Sequence, residues 1–159
     1  MNIKTADLCD SHEGKVTIAQ PLFKSFGAQK FFAGEIVPVK VFEDNVRVKE
    51  MLGKTGKEKV LVVDGGGSMR CALMGDLLGK MAQDNEWAGV IINGCIRDSA
   101  EINQMPIGVK ALNTNPIKSK KGGEGEVNVP VNFAGVTFNP GEFVYADEDG
   151  IIVSAKKLH

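Results

Sequence analysis

Residues Lys59 to Gly94, KVLVVDGGGSMRCALMGDLLGKMAQDNEWAGVIING, decide the class of fold. The stretch opens on a short apolar run, passes Asp64 and three glycines, and closes on a second apolar run, AGVIING. Short β-branched runs bounded by glycine read as strands buried on both faces. Between them, SMRCALMGDLLGKMAQDNEW reads as helix, with Ser68 capping its start and Gly75 interrupting it. Strand, helix, strand is the unit of an α/β sheet.

Working outward, GEIVPVKVF (Gly34 to Phe42) alternates as a strand, and Pro38 inside it predicts an edge or a bulge. NVRVKEMLGK predicts a helix ending near Gly53. TADLCD offers Thr5 as the N-cap of a first helix. After the second buried strand, SAEINQM reads as a helical turn and GVKALNT as a further strand. Lys118 to Asn128, KSKKGGEGEVN, is polar and glycine-rich and reads as a mobile loop. The C-terminal part is a series of short strands, with turns at Asn139-Pro140-Gly141 and Asp149-Gly150. The expectation is a single mixed α/β domain over residues 1–159, with a central sheet and flanking helices.

The 19 basic and 20 acidic residues nearly cancel, so the chain lacks the footprint of a nucleic-acid binder. Three scattered cysteines, Cys9, Cys71 and Cys95, form neither a disulfide framework nor a metal knuckle. Two histidines, His12 and His159, leave few ligands for zinc. The start MNIKTADLCD lacks the charged and apolar regions of a secretory leader. No apolar run approaches the length of a membrane span. A reduced, cytoplasmic protein is expected.

Asp64-Gly65-Gly66-Gly67 before a helix resembles a phosphate-cradling turn, but the required details are absent. No Gly-Lys-Ser/Thr follows, and Gly67 leads into Ser-Met-Arg instead of the dinucleotide fingerprint. A methyltransferase-like Asp-x-Gly-x-Gly turn and a plain strand-to-helix turn remain as alternatives. Gly75-Asp76-Leu77-Leu78 reads as a second helix start with Asp76 as cap. The amides of Leu77 and Leu78 would then face an anion, with the helix dipole behind them.

Arg47, Arg70 and Arg97 are the only arginines. Arg97 stands beside Asp98 where a buried strand ends, the place at which α/β sheets collect ligands. An arginine fork can hold a carboxylate and steady an oxyanion, and the aspartate suits Mg²⁺ or Mn²⁺. The bland alternative is a surface ion pair contributing at most about 1 kcal/mol. Sixteen lysines, Lys110 among them, offer a Schiff-base route that no spacing singles out. Asp147 and Asp149 read as hairpin-turn residues, and Glu101 as a local cap or ion-pair partner.

Asp76, twenty intervening residues, Arg97-Asp98, two residues and Glu101 together resemble the signature of the RraA-like family. ADLCD, PLF, VKVFEDN, VLVVDGGGSMRCAL, NEWAGVIING and VNFAGVTFNPGEFVYADEDGI extend that resemblance over nearly the whole chain. The resemblance implies a β/β/α swivelling-type domain in a ring-shaped homotrimer with sites at subunit interfaces. It implies a divalent-metal-dependent lyase, a 4-hydroxy-4-methyl-2-oxoglutarate aldolase or oxaloacetate decarboxylase. Asp98 would hold the cation. Arg97 would bind the substrate and stabilise a pyruvate enolate. Asp76, with Gly75, Leu77 and Leu78, would line the pocket. Longer aldolases of the family have a C-terminal extension, and with ADEDGIIV followed soon by His159 this chain is expected to lack it. The alternative implied is a non-catalytic regulator that binds and inhibits ribonuclease E.

Overall fold

Val60 to Val63 and Val90 to Ile92 are apolar without interruption, and both strands are covered on both faces. Leu61, Val63, Val90 and Ile92 face one core, while Val60, Val62 and Ile91 face another. Alternation is lost from the sequence because neither side of the sheet meets water.

The computed structural model describes residues 3–159; Met1 and Asn2, with which the leader reading begins, lie outside the described residues. In chain order the elements are α1 (Thr5–Ser11), β1 (Val16–Ile18), β2 (Lys24–Phe26), β3 (Phe32–Lys40), α2 (Val46–Leu52) and β4 (Lys59–Asp64). Next come β5 (Ala72–Met74), α3 (Asp76–Asp84), β6 (Gly89–Ile96), α4 (Ser99–Ile102) and β7 (Val109–Thr114). The chain ends with β8 (Glu126–Val127), β9 (Val131–Phe133), β10 (Val136–Phe138), β11 (Phe143–Asp147) and β12 (Gly150–Ser154). The main sheet runs β1-β12-β11-β3-β4-β6-β7-β2, with β5 added on β6 and β8 on β3. β3, β4, β6 and β7 are parallel, and the outer strands are antiparallel.

Side chains of α2, α3 and α4, among them Val48, Leu52, Leu78, Ala82 and Ile102, pack on one face of the sheet. The β9–β10 ribbon covers the other through Val131, Phe133, Val136 and Phe138. Ribbon, sheet and helices make three layers, the mixed β/β/α arrangement expected. Each fully buried Val, Leu or Ile in the two cores contributes about 1.5–3 kcal/mol of transfer free energy.

Several local expectations change. Residues 68–75 are not helix. Ala72, Leu73 and Met74 form β5 against the end of β6, and helix begins only after Gly75. Ser68 makes a turn instead of a cap: its Oγ accepts from the Arg70 amide and donates to Glu43. The reason is that β6 outruns β4, so its last residues need another neighbour. Thr5 is not an N-cap either. Lys4 holds that position, and the amide and Oγ of Thr5 both donate to the Asp147 carboxylate, at 2.8 and 2.7 Å.

Pro38 lies inside the sheet, paired in register with Val62 of β4. It is tolerated because β11 covers β3 only as far as Glu35. Beyond that, the Pro38 carbonyl accepts from the Asn128 amide, at a local edge where no N–H is required. Residues 118–128 are tied down. The buried Asp44 carboxylate accepts from the amides of Gly122 and Glu124, and residues 126–127 form β8. No helix among the described residues is long and apolar enough to cross a membrane.

Candidate active site

The site is assembled where the parallel strands end. At the end of β4 the Asp64 carboxylate accepts from the Gly66 amide at 2.9 Å and from Asn93 Nδ2 at 3.0 Å. The Asn93 carbonyl accepts from Gly65 and Gly67, both at 3.1 Å. Gly66 and Gly67 have φ of 68° and 74°, which turns the chain out of the sheet. It returns as β5, which pairs with β6 at Cys95 and Ile96, beyond the last contact of β4. The Arg97 amide then donates to the Met74 carbonyl at 2.9 Å. This pairing lays Gly75 directly beside Arg97 and Asp98.

The closeness is measurable at Gly75. A Cβ there would lie 2.6 Å from Asp98 Oδ2 and 3.3 Å from Arg97 Cγ. Gly75 is the N-cap of α3, and Asp76 is its first helical residue, one position later than expected of a cap. The change has a cause. Asp98 supplies the carboxylate that Asp76 was expected to supply, accepting from the Asp76 amide through Oδ2 at 3.0 Å. Leu77 and Leu78 follow in the first turn, where no earlier helical carbonyl exists for their amides. Leu78 is buried in the core, whereas Leu77 is 81% exposed. All six predicted positions, Gly75, Asp76, Leu77, Leu78, Arg97 and Asp98, thus meet at one helix start.

Asp98 has φ 56°, in the left-handed region that aspartate tolerates better than most residues. It precedes α4 but does not cap it with its side chain. Its carboxylate is turned toward α3 instead. Arg97 and Asp98 form no ion pair with each other; among the described residues the ion pairs are Arg47–Glu50, Arg70–Glu43 and Lys80–Asp84. Arg97 Nη1 makes one hydrogen bond, to the Pro116 carbonyl at 3.4 Å. Two arginines are therefore committed to glutamates, and the third, beside a helix N-terminus, has no carboxylate partner among the described residues. The surface-pair reading of Arg97-Asp98 does not match this geometry.

Sequence reasoning missed the surroundings. Asn115, Pro116 and Ile117 follow β7 and stand against Arg97 and Met69. Glu43 accepts from Ser68 Oγ and Arg70 Nε, both at 2.6 Å. The bond from Arg70 first, and then that from Ser68, holds its carboxyl below the usual carboxylate range. Arg70 also lies over the Phe42 ring, 5.8 Å from its centre. A Ser-x-Arg after a glycine turn was the available signal, but nothing local pointed to Glu43. Glu101 is exposed on α4.

Other reactive groups lie elsewhere or are muted. Lys110 is buried level with Ile91, at the far end of β6 from Arg97, and donates to Ser25 Oγ at 2.8 Å. Burial pushes the thiols of Cys71 and Cys95 up, away from the reactive thiolate. A cavity of about 600 Å³ lined by Phe31, Phe143, Tyr145, Lys57 and Lys59 opens at the N-terminal ends of β3 and β4, opposite Arg97.

A family model described as RraA-like, Aldolase/RraA, matches residues 5–153. The chain belongs to the RraA-like family. A relative from Dechloromonas aromatica (strain RCB), provisionally named a 4-hydroxy-4-methyl-2-oxoglutarate aldolase, is 55% identical over 99% of each chain. The crystal structure of an S-adenosylmethionine:2-dimethylmenaquinone methyltransferase from Geobacillus kaustophilus HTA426 is 52% identical, with a TM-score of 0.96 over 98% of this chain and 97% of that one. The RNA-processing inhibitor RraA from Thermus thermophilis is 43% identical, with a TM-score of 0.96 over 100% and 96%. Two solved structures with different names thus share the fold of this chain.

Proposed function

We propose that this RraA-like chain is a divalent-metal-dependent lyase that cleaves small 2-oxo acids through a pyruvate enolate. The reading rests chiefly on one observation: an arginine without a carboxylate partner among the described residues stands beside the first turn of α3, whose Asp76 amide is bound by Asp98. The anionic end of a 2-oxo acid would be held by the Arg97 fork and the amides of Leu77 and Leu78.

Asp98 is the residue that would hold the metal. Its bond to Asp76 uses Oδ2, and among the described residues no hydrogen bond is made to Oδ1. No group of three or more His, Cys, Asp or Glu side chains converges among the described residues. A single carboxylate suits Mg²⁺ or Mn²⁺, which keep several waters and take further oxygens from the substrate, and does not suit a closed zinc cage. Such a cation, when bound, supplies Lewis-acid polarisation of the keto oxygen. Arg97 would hold the substrate carboxylate and stabilise the charge that develops as the C3–C4 bond breaks. Gly75 leaves the space in which these groups approach. Loss of CO2 from oxaloacetate and retro-aldol cleavage of 4-hydroxy-4-methyl-2-oxoglutarate share that enolate. Decarboxylation asks less proton handling and is the activity expected first.

Phe42, Met69, Leu77 and Ile117 are exposed apolar side chains at this end of the sheet. They support the ring-shaped homotrimer with sites at subunit interfaces, which light scattering would test. Binding to ribonuclease E without chemistry is a second reading, favoured by the likeness to the RNA-processing inhibitor RraA.

The deciding experiment is oxaloacetate decarboxylation with Mg²⁺ or Mn²⁺, with chelator, and by Asp98→Asn. Asparagine can still accept from the Asp76 amide, so the variant should fold. Turnover lost with chelator and in the variant supports the lyase. Turnover no faster than metal alone would transfer the assignment to the ribonuclease-binding reading.

A further inference from the structure

Among the described residues the guanidinium of Arg97 reaches one acceptor, the Pro116 carbonyl. A carbonyl on an exposed turn orients an arginine only if the turn itself is fixed. Here the fixing falls to Asn115. Its amide N–H donates to the Ile96 carbonyl at 2.9 Å, one residue before Arg97. Its side-chain Nδ2 donates to the Met69 carbonyl at 2.7 Å, and its Oδ1 accepts from the Ile117 amide at 2.9 Å. The Ile117 carbonyl in turn accepts from Ala72 at 2.7 Å, in the β5 segment that leads to Gly75. Asn115 thus ties the end of β6 through its backbone amide, and the glycine-turn segment and the turn after β7 through its side chain, around the Arg97 guanidinium. Pro116 offers no amide of its own, so its carbonyl can be held only through its neighbours.

We propose that Asn115 is a positioning residue for Arg97, holding the Pro116 carbonyl where it aims the fork at the α3 N-terminus. The inference rests on the reading of Arg97 as the group that binds the substrate carboxylate. In this reading Asn115 acts through Arg97 and not on the substrate. Losing its side chain would leave the Arg97 charge in place but let the fork swing, so substrate binding should fall while the fold persists.

The test is a double-mutant cycle read by oxalate affinity in the presence of Mg²⁺, measured calorimetrically on the full chain. Asn115→Ala should weaken oxalate about tenfold, which corresponds to about 1.4 kcal/mol. In the Arg97→Ala background the same change should alter affinity less than about twofold, because the residue acts through Arg97. Asn115→Asp keeps the acceptor for Ile117 and loses the donor to Met69; it should show the same coupling and carries the cycle if the alanine variant does not fold. Equal losses with and without Arg97 would assign Asn115 a general structural role and overturn the proposal, as would unchanged affinity in Asn115→Ala. Unchanged oxalate affinity in Arg97→Ala alone would strike the substrate-binding reading itself, and the role of Asn115 would go with it.

Discussion

The Asp76 amide donates to Oδ2 of Asp98 at 3.0 Å, joining the first turn of α3 to the left-handed residue that follows β6 across 22 positions of sequence. The carboxylate stands at the positive end of the helix dipole, where a negative charge is stabilised. A cation bound there would meet a carboxylate already held in place.

Gly75→Ala tests that closeness. Its φ of −124° is open to alanine, so the backbone does not object. The added Cβ would lie 2.6 Å from Asp98 Oδ2 and must displace it. We expect kcat/KM for oxaloacetate to fall about tenfold or more, with a melting temperature within a few degrees of wild type. Unchanged turnover would mean that the placement of Asp98 does not matter to catalysis.

Arg97→Lys keeps the charge and removes the fork. Steady-state kinetics should show about a hundredfold loss in kcat/KM. Wild-type turnover in this variant would remove Arg97 from the site.

Asp147 carries a pH-dependent part of stability. Burial alone would raise its pKa, but bonds from the side chain and amide of Thr5 and from the amides of Asp149 and Gly150 hold it below the usual carboxylate range. The folded value thus lies below the unfolded one of about 3.9. Its contribution is full above that unfolded value and is lost as pH falls through the folded one. Asp147→Asn should cost about 1–3 kcal/mol at neutral pH, and the gap to wild type should narrow in acid below about pH 4. Urea unfolding across that range checks it; a gap independent of pH would refute the linkage.

Gly89→Ala addresses the core. A Cβ at Gly89 would run into the Phe32 ring, which also fills the space over Gly108. Overpacking there should cost about 1–3 kcal/mol, lowering the melting temperature by several degrees with KM unchanged. Restored stability in a Gly89→Ala, Phe32→Leu double variant would trace the cost to that contact.

Much of the site is legible in the residue order alone. Arg97 and Asp98 stand out because a charged pair follows an uninterrupted apolar run, and Gly75 to Leu78 because glycine and aspartate precede a helical pattern. Asn115, Pro116 and Glu43 do not stand out. Each acts through contacts at long range, Asn115 on Met69 across 46 positions and Glu43 on Arg70 across 27. Asp147 is the hairpin residue its setting predicts, opposite Gly150 at the β11–β12 turn, but its hold on Thr5 joins the two ends of the chain and leaves no local trace.

The sequence by itself determined the alternation of buried strands and helices, because hydrophobic periodicity and glycine punctuation are local properties of the chain. It is misleading over residues 68–75, since Ala72-Leu73-Met74 suits a helix as well as a strand. Only the tertiary structure decided that segment, because β6 continues past the end of β4 and its exposed edge hydrogen-bonds whatever chain lies alongside. That pairing carries Gly75 to Arg97 and Asp98. The chemistry of the site is written in residue types, and its geometry in the backbone bonds that a sheet edge demands.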